Sequence, residues 1–260
     1  MTVSNVVSPL MVSADRFVVG SFVSLAAVSY YATPFEAVTK LLIIPGAITS
    51  VLFPAFSTAS KTDRARMEKL FRAGMWTILL SMYPIVFLVI TFAPEVLGLW
   101  LGSDFAVQSS GVLRWLALGV LMNSMASLPF ALLQGVGRSD TTAKIHLAEA
   151  PFYLLLMVWL IRHYGVNGAA IAWCVRTTLD MSLLYWYASR QRRPSEPLWL
   201  RDIAVFAVLV LILGMAVIFQ SPLQKVFVTS IFVILLLAFA WYWTLVSDWR
   251  AWMRRLLRND

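Results

Sequence analysis

The sequence is short of the residues on which enzymes and secreted domains rely. It has one cysteine, Cys174, in 260 residues, so it forms no internal disulfide and no cysteine metal cluster. Its two histidines, His146 and His163, lie far apart, and no His/Cys/Asp set carries metal-ligand spacing. No glycine-rich phosphate loop is present, which excludes an ATPase carried by this chain. No cofactor is expected. The opening Met1–Asn5 lacks a basic stretch, and the apolar run after it already contains Asp15 and Arg16, so no cleavable signal peptide is read there. The longest hydrophilic connection, Pro94–Ser109, is too short for a soluble domain or for the catalytic loop of a membrane glycosyltransferase or polymerase.

What is abundant is hydrocarbon. Hydrophobic residues make up 60% of the chain, charged residues only 13%, and the mean hydropathy is +0.78. A soluble domain rarely exceeds about half apolar residues, so the composition points to a membrane protein. A spanning helix needs about 20 mostly apolar residues. Eight stretches qualify: Thr2–Val19, Ala26–Phe56, Gly74–Ala93, Ser110–Gln134, Lys144–Ile161, Val166–Ala188, Ile203–Phe219 and Val226–Val246. The second, with Pro34, Pro45 and Pro54, is long enough to tilt or bend. The sixth is the least apolar, because Arg176 and Asp180 sit in its middle. The first begins almost at residue 1, which suggests a fragment or one half of a longer protein.

The net charge of +8 needs no nucleic acid to explain it. Basic residues gather in alternate connections: Lys61–Arg72, Arg138–Lys144, Arg190–Arg201 and the tail Arg250–Arg258. The other connections hold only Arg162 and Lys225. The positive-inside rule makes the basic set cytoplasmic and leaves the C-terminus in the cytoplasm. Ser247–Arg258 places Trp249, Trp252, Met253, Leu256 and Leu257 at helical spacing with a basic opposite face, as in a helix lying on the membrane surface.

Charges inside the spans are the candidate functional groups, because each costs roughly 2.5–3.5 kcal/mol to insert. The basic ones are Arg16, Lys40, Arg114 and Arg176; the acidic ones are Asp15, Glu36, Glu149 and Asp180. Spacing predicts internal pairs Glu36–Lys40 and Arg176–Asp180. The alternative is that a basic member turns to an anionic substrate in a wet cavity, with Lys40 and then Arg16 the strongest candidates. Arg114 is expected to reach the membrane interface, and Glu149 to lie at a solvated helix end or in a proton relay. Gly46, Gly119, Gly165, Gly168, Ala169 and Ala170 fit close helix packing. Asn123, Ser124 and Gln134 could bond a sugar or tie helices together.

At these residues the sequence resembles a known family. Asp15-Arg16, Tyr31, Pro34, the IIPGAI stretch Ile43–Ile48, Phe53-Pro54-Ala55 and the glycine-containing turn Leu132–Lys144 resemble the second half of O-antigen and polysaccharide flippases. These belong to the multidrug/oligosaccharidyl-lipid/polysaccharide exporter superfamily. The resemblance implies an all-α polytopic fold: residues 1–189 as the C-terminal six-helix bundle, 190–246 as two additional transmembrane helices, and 247–260 as a basic amphipathic cytoplasmic tail. It implies a transporter, not an enzyme, that flips undecaprenyl-diphosphate-linked oligosaccharide across the bacterial inner membrane. Its partners would be that lipid-linked oligosaccharide, membrane lipids and an N-terminal bundle absent from this sequence. The expected headgroup ligands are Arg16, Lys40 and Arg176; the ion-coupling candidates are Asp15, Glu36, Glu149 and Asp180. A drug or lipid II exporter of the same superfamily is the alternative.

Overall fold

In the computed structural model of the chain, residues 15–192, 209, 212–214 and 221–246 are described, and they are almost entirely helical. The chain divides into two units, residues 1–208 and 209–260. The first contains α1 (residues 15–22), α2 (Leu25–Thr39), a 3-10 turn (Lys40–Leu42), α3 (Ile43–Thr62), α4 (Arg64–Thr91), α5 (Ala93–Leu101), α6 (Ser103–Gly135), α7 (Ser139–Tyr164) and α8 (Val166–Arg192). The second contains α9 (Pro222–Val246).

Local chemistry sets the boundaries. The Ser24 hydroxyl accepts the Ala27 N–H at 3.1 Å and starts α2; the Asp63 carboxylate accepts the Arg66 N–H at 2.9 Å and starts α4. The second expected span is interrupted by the 3-10 turn Lys40–Leu42, just ahead of Pro45, which has no N–H to return to the Leu41 carbonyl. Between α7 and α8 the chain turns at Gly165, whose φ of +56° favours glycine.

Four helical stretches are long and apolar enough to cross a membrane: Leu25–Thr58, Arg64–Thr91, Ser103–Gly135 and Ser139–Tyr164. They correspond to the second to fifth predicted spans. Helix α8 covers the sixth but carries Arg176 and Asp180 and is not among the four. The eighth lies within α9. Most of the first span, nearly all of the seventh and the basic tail lie outside the described residues.

Helix α6 is the centre of the first unit and touches α2, α3, α4, α5, α7 and α8. Val112, Leu116, Val120, Leu121, Leu128 and Leu132 along it are inaccessible. In lipid, dispersion between closely fitted surfaces holds helices together, so small residues matter where they meet. Gly119 meets that need: a Cβ there would strike the Trp173 ring and lie 3.3 Å from the Cys174 Cα, so α8 could not approach α6 as it does. Trp173 in turn packs edge-to-face on Phe35 of α2, with ring centroids 5.3 Å apart.

Helix α7 shows why the fold belongs in lipid. Its exposed side carries Leu147, Phe152, Leu155 and Trp159; its buried side carries His146, Glu149 and Tyr153 beside Met157 and Leu160. Polar inside and apolar outside is the arrangement required where hydrocarbon replaces water as the surrounding solvent.

Candidate functional site

Two groups of polar side chains occupy the first unit, one buried and one exposed. The buried group begins with helical register. His146, Glu149 and Tyr153 recur at intervals of three and four along α7, and Arg176 and Asp180 are one turn apart on α8. Asp15 of α1 and Tyr31 of α2 complete the group.

Asp15 is fully buried and accepts two phenolic hydrogen bonds, from Tyr31 at 2.9 Å and from Tyr153 at 2.6 Å. One carboxylate therefore joins α1, α2 and α7. The Arg176 guanidinium lies 5.5 Å from the centre of the Tyr153 ring, a cation–π contact, and within electrostatic reach of Asp15. Glu149 is within reach of Asp180, Arg176 and His146. His146 Nε2 stands 3.3 Å from Asp180 Oδ1 without hydrogen-bond alignment, and its ring stacks on Phe130. The expected intrahelical pair Arg176–Asp180 is not made, because each side chain turns to a group on α7. An i,i+4 pair contributes only about 0.5 kcal/mol, so contacts between packed helices decide.

Glu149 differs from the solvated helix end expected of it. Helix α7 begins at Ser139, which puts Glu149 well inside the helix, and the bundle covers it.

The exposed group lies on α1, α2 and the 3-10 turn. Arg16 bonds Glu36 at 2.6 Å, with side chains 42% and 61% exposed. Glu36 was expected to pair with Lys40; the guanidinium arriving from α1 takes it instead, in a charge-assisted bond. Lys40 is exposed and makes no ion pair among the described residues. Phe17, Leu25 and Ile43 are exposed on the same segments, along with Ser21 and Ser29.

Two further polar groups tie helices. The Gln134 amide donates to Thr142 Oγ1 at 3.2 Å, linking α6 to α7. Arg114, expected at the interface, donates from Nε to the Ile90 carbonyl at 3.3 Å in the last turn of α4, where the helix dipole favours a cation.

The site residues thus separate. Asp15, Glu149, Arg176 and Asp180 come together in the interior; Arg16, Glu36 and Lys40 come together on an outer face. Sequence reasoning missed the part played by Tyr31 and Tyr153. The available signal was a phenol within an apolar run: a buried hydroxyl needs a partner, and Tyr153 lies one turn beyond Glu149.

The described residues are almost entirely helical, with apolar side chains outside and charge inside, as in a multi-pass membrane protein. Residues 1–110 match the family model described as Polysaccharide biosynthesis protein. The chain is 36% identical over 190 residues to a Shigella flexneri protein provisionally named an O-antigen transporter, covering 73% of this chain and 45% of that one. It is 26% identical over 190 residues, 71% of this chain and 40% of the relative, to a Haloferax volcanii protein provisionally named the low-salt glycan biosynthesis flippase Agl15. A second Haloferax volcanii protein, provisionally named flippase AglR, is 26% identical over 171 residues, 65% of this chain and 36% of its own length. The chain is similar to polysaccharide flippases over almost three quarters of its length. It spans less than half the length of these curated relatives. Their names are those of transporters and flippases, not of enzymes, in keeping with the expectation from the sequence.

Proposed function

We propose that this chain takes part in flipping undecaprenyl-diphosphate-linked oligosaccharide across the bacterial inner membrane, for O-antigen or exopolysaccharide synthesis. Residues 1–189 act as one six-helix bundle facing a second bundle across a cavity, 190–246 add two spans, and 247–260 lie on the cytoplasmic leaflet. Rocking of one bundle against the other alternates access to the cavity.

The observation that carries this reading is the exposed group. Arg16 is partly exposed and Glu36 and Lys40 are exposed, beside the exposed apolar residues Phe17, Leu25 and Ile43. Uncovered charges at that depth need water or another protein surface, not lipid tails. A diphosphate headgroup is an anion that a guanidinium and an ammonium bind well, and with Glu36 already joined to Arg16, Lys40 remains the free cation of the three. Arg176, the third basic residue of the expected set, sits inside the bundle, so the headgroup role falls to Arg16 and Lys40. Asp15, Glu36, Glu149 and Asp180 are the acidic groups available for coupling to an ion gradient.

The test is Arg16→Ala and Lys40→Ala in the full-length transporter. Surface polysaccharide falls while protein level is maintained. Normal polysaccharide in both variants would overturn the headgroup role.

A further inference from the structure

The buried group contains more charge than its own contacts satisfy. Asp15, Glu149 and Asp180 are three carboxylates, and among the described residues Arg176 is the one guanidinium buried with them; none is more than 8% exposed. Both carboxylate oxygens of Glu149, Oδ1 of Asp180, Nε of Arg176 and Nδ1 of His146 are buried without a hydrogen-bond partner. Buried polar atoms in folded proteins almost always have one. These five atoms belong to four side chains of two adjacent helices, so they face a common need.

Their mixture narrows what could meet it. The Glu149 and Asp180 oxygens accept, and the Arg176 Nε–H donates. A metal ion would serve the oxygens and be repelled by the guanidinium, and no three His, Cys, Asp or Glu side chains converge as metal ligands among the described residues. An anion would serve the guanidinium and be repelled by three carboxylates. Water donates and accepts over one short reach and serves both kinds of atom.

We propose that His146, Glu149, Arg176 and Asp180 line an internal hydration site between α7 and α8, with Arg176 as its fixed cation. Arg176 is then the resident counter-charge of Asp15, Glu149 and Asp180, not a ligand for cargo. The Tyr153 ring under the guanidinium holds that charge in place, and its hydroxyl on Asp15 keeps that carboxylate within electrostatic reach of it. The site does not depend on what the protein carries, so its tests read folding and hydration instead of transport.

The first test is charge compensation in the full-length polypeptide. Arg176→Gln leaves three carboxylates without their cation, and folded protein recovered in mild detergent falls about tenfold or more. Arg176→Lys keeps the charge and retains most of the yield. Arg176→Gln combined with Glu149→Gln removes one charge of each sign and recovers yield to within about twofold of the parent. Wild-type yield and Tm in the single variant, or a double variant no better than the single, overturns the counter-charge. The second test is hydroxyl-radical footprinting, in which bound water delivers oxidant to buried side chains. Tyr153 and Phe71 are both about 1% exposed, yet Tyr153 is oxidised several-fold faster. Equal rates at the two rings overturn the hydration site.

Discussion

Tyr153 donates its hydroxyl to Asp15 at 2.6 Å across 138 positions of sequence, and that bond ties α7 to α1. Tyr31 adds a second donor from α2 at 2.9 Å. A buried carboxylate with two phenolic donors is satisfied on both oxygens; removing either donor leaves a charged acceptor short of a partner. A hydrogen bond to a charged group contributes about 1.5–3 kcal/mol. Tyr153→Phe therefore lowers the Tm of the purified full-length protein, by more than Tyr31→Phe does because its bond is shorter, and the double variant loses more than either. Equal Tm in all four proteins would show that the bonds contribute nothing.

The Arg16–Glu36 pair is exposed, and exposed pairs contribute about 0–1 kcal/mol. Arg16→Glu is thus expected to leave protein level unchanged and to reduce surface polysaccharide by reversing charge where the headgroup is proposed to bind. Arg16→Glu with Glu36→Arg restores the pair and part of the polysaccharide. If the swap recovers nothing while the protein remains abundant, the position of the cation matters and not only its presence beside Glu36.

Gly119 and Gly46 make a matched comparison. A Cβ at Gly119 strikes Trp173, whereas one at Gly46 meets nothing within 4 Å. Overpacking a fitted contact costs about 1–3 kcal/mol. Gly119→Ala lowers Tm, and Gly46→Ala leaves it level or raises it slightly, since alanine favours the helix by up to about 1 kcal/mol. Thermal scans of the two variants side by side decide the matter, and a tolerant Gly119 would mean that α8 can slide.

The proposed topology is open to labelling. Cysteines placed at Ser60 and Ser195 react with an impermeant reagent only from the cytoplasm, and one at Ser103 only from the periplasm. Reaction at Ser103 from inside would invert the arrangement of the spans.

Much of the fold was legible in the sequence. Length and apolarity located the second to fifth spans, and Gly119 was readable as a close helix contact. The three prolines of the second span did not say where it would be interrupted, since Pro34 and Pro54 lie inside α2 and α3 and only Pro45 closely follows the 3-10 turn. The charged residues within the spans were legible as unusual, but their partners were not. Spacing of three or four informs on one helix only. Glu36 instead took Arg16 from α1, and Asp180 faced His146 from α7. Such choices depend on which helices become neighbours. Glu149 was misread for a related reason: its nearness to a cytoplasmic connection suggested water, while α8 packed against α7 decided its burial.

The two sides of α7 have a consequence for biogenesis. Alone in the bilayer, Ser139–Tyr164 would present an acid and an imidazole to acyl chains; alone in the cytosol, it would present leucine and tryptophan to solvent. Neither setting suits it until α8 arrives to shield the acidic side. The turn at Gly165 is short enough for the two to enter together as a hairpin, so the order of synthesis, α7 followed at once by α8, is itself part of how this segment reaches its place.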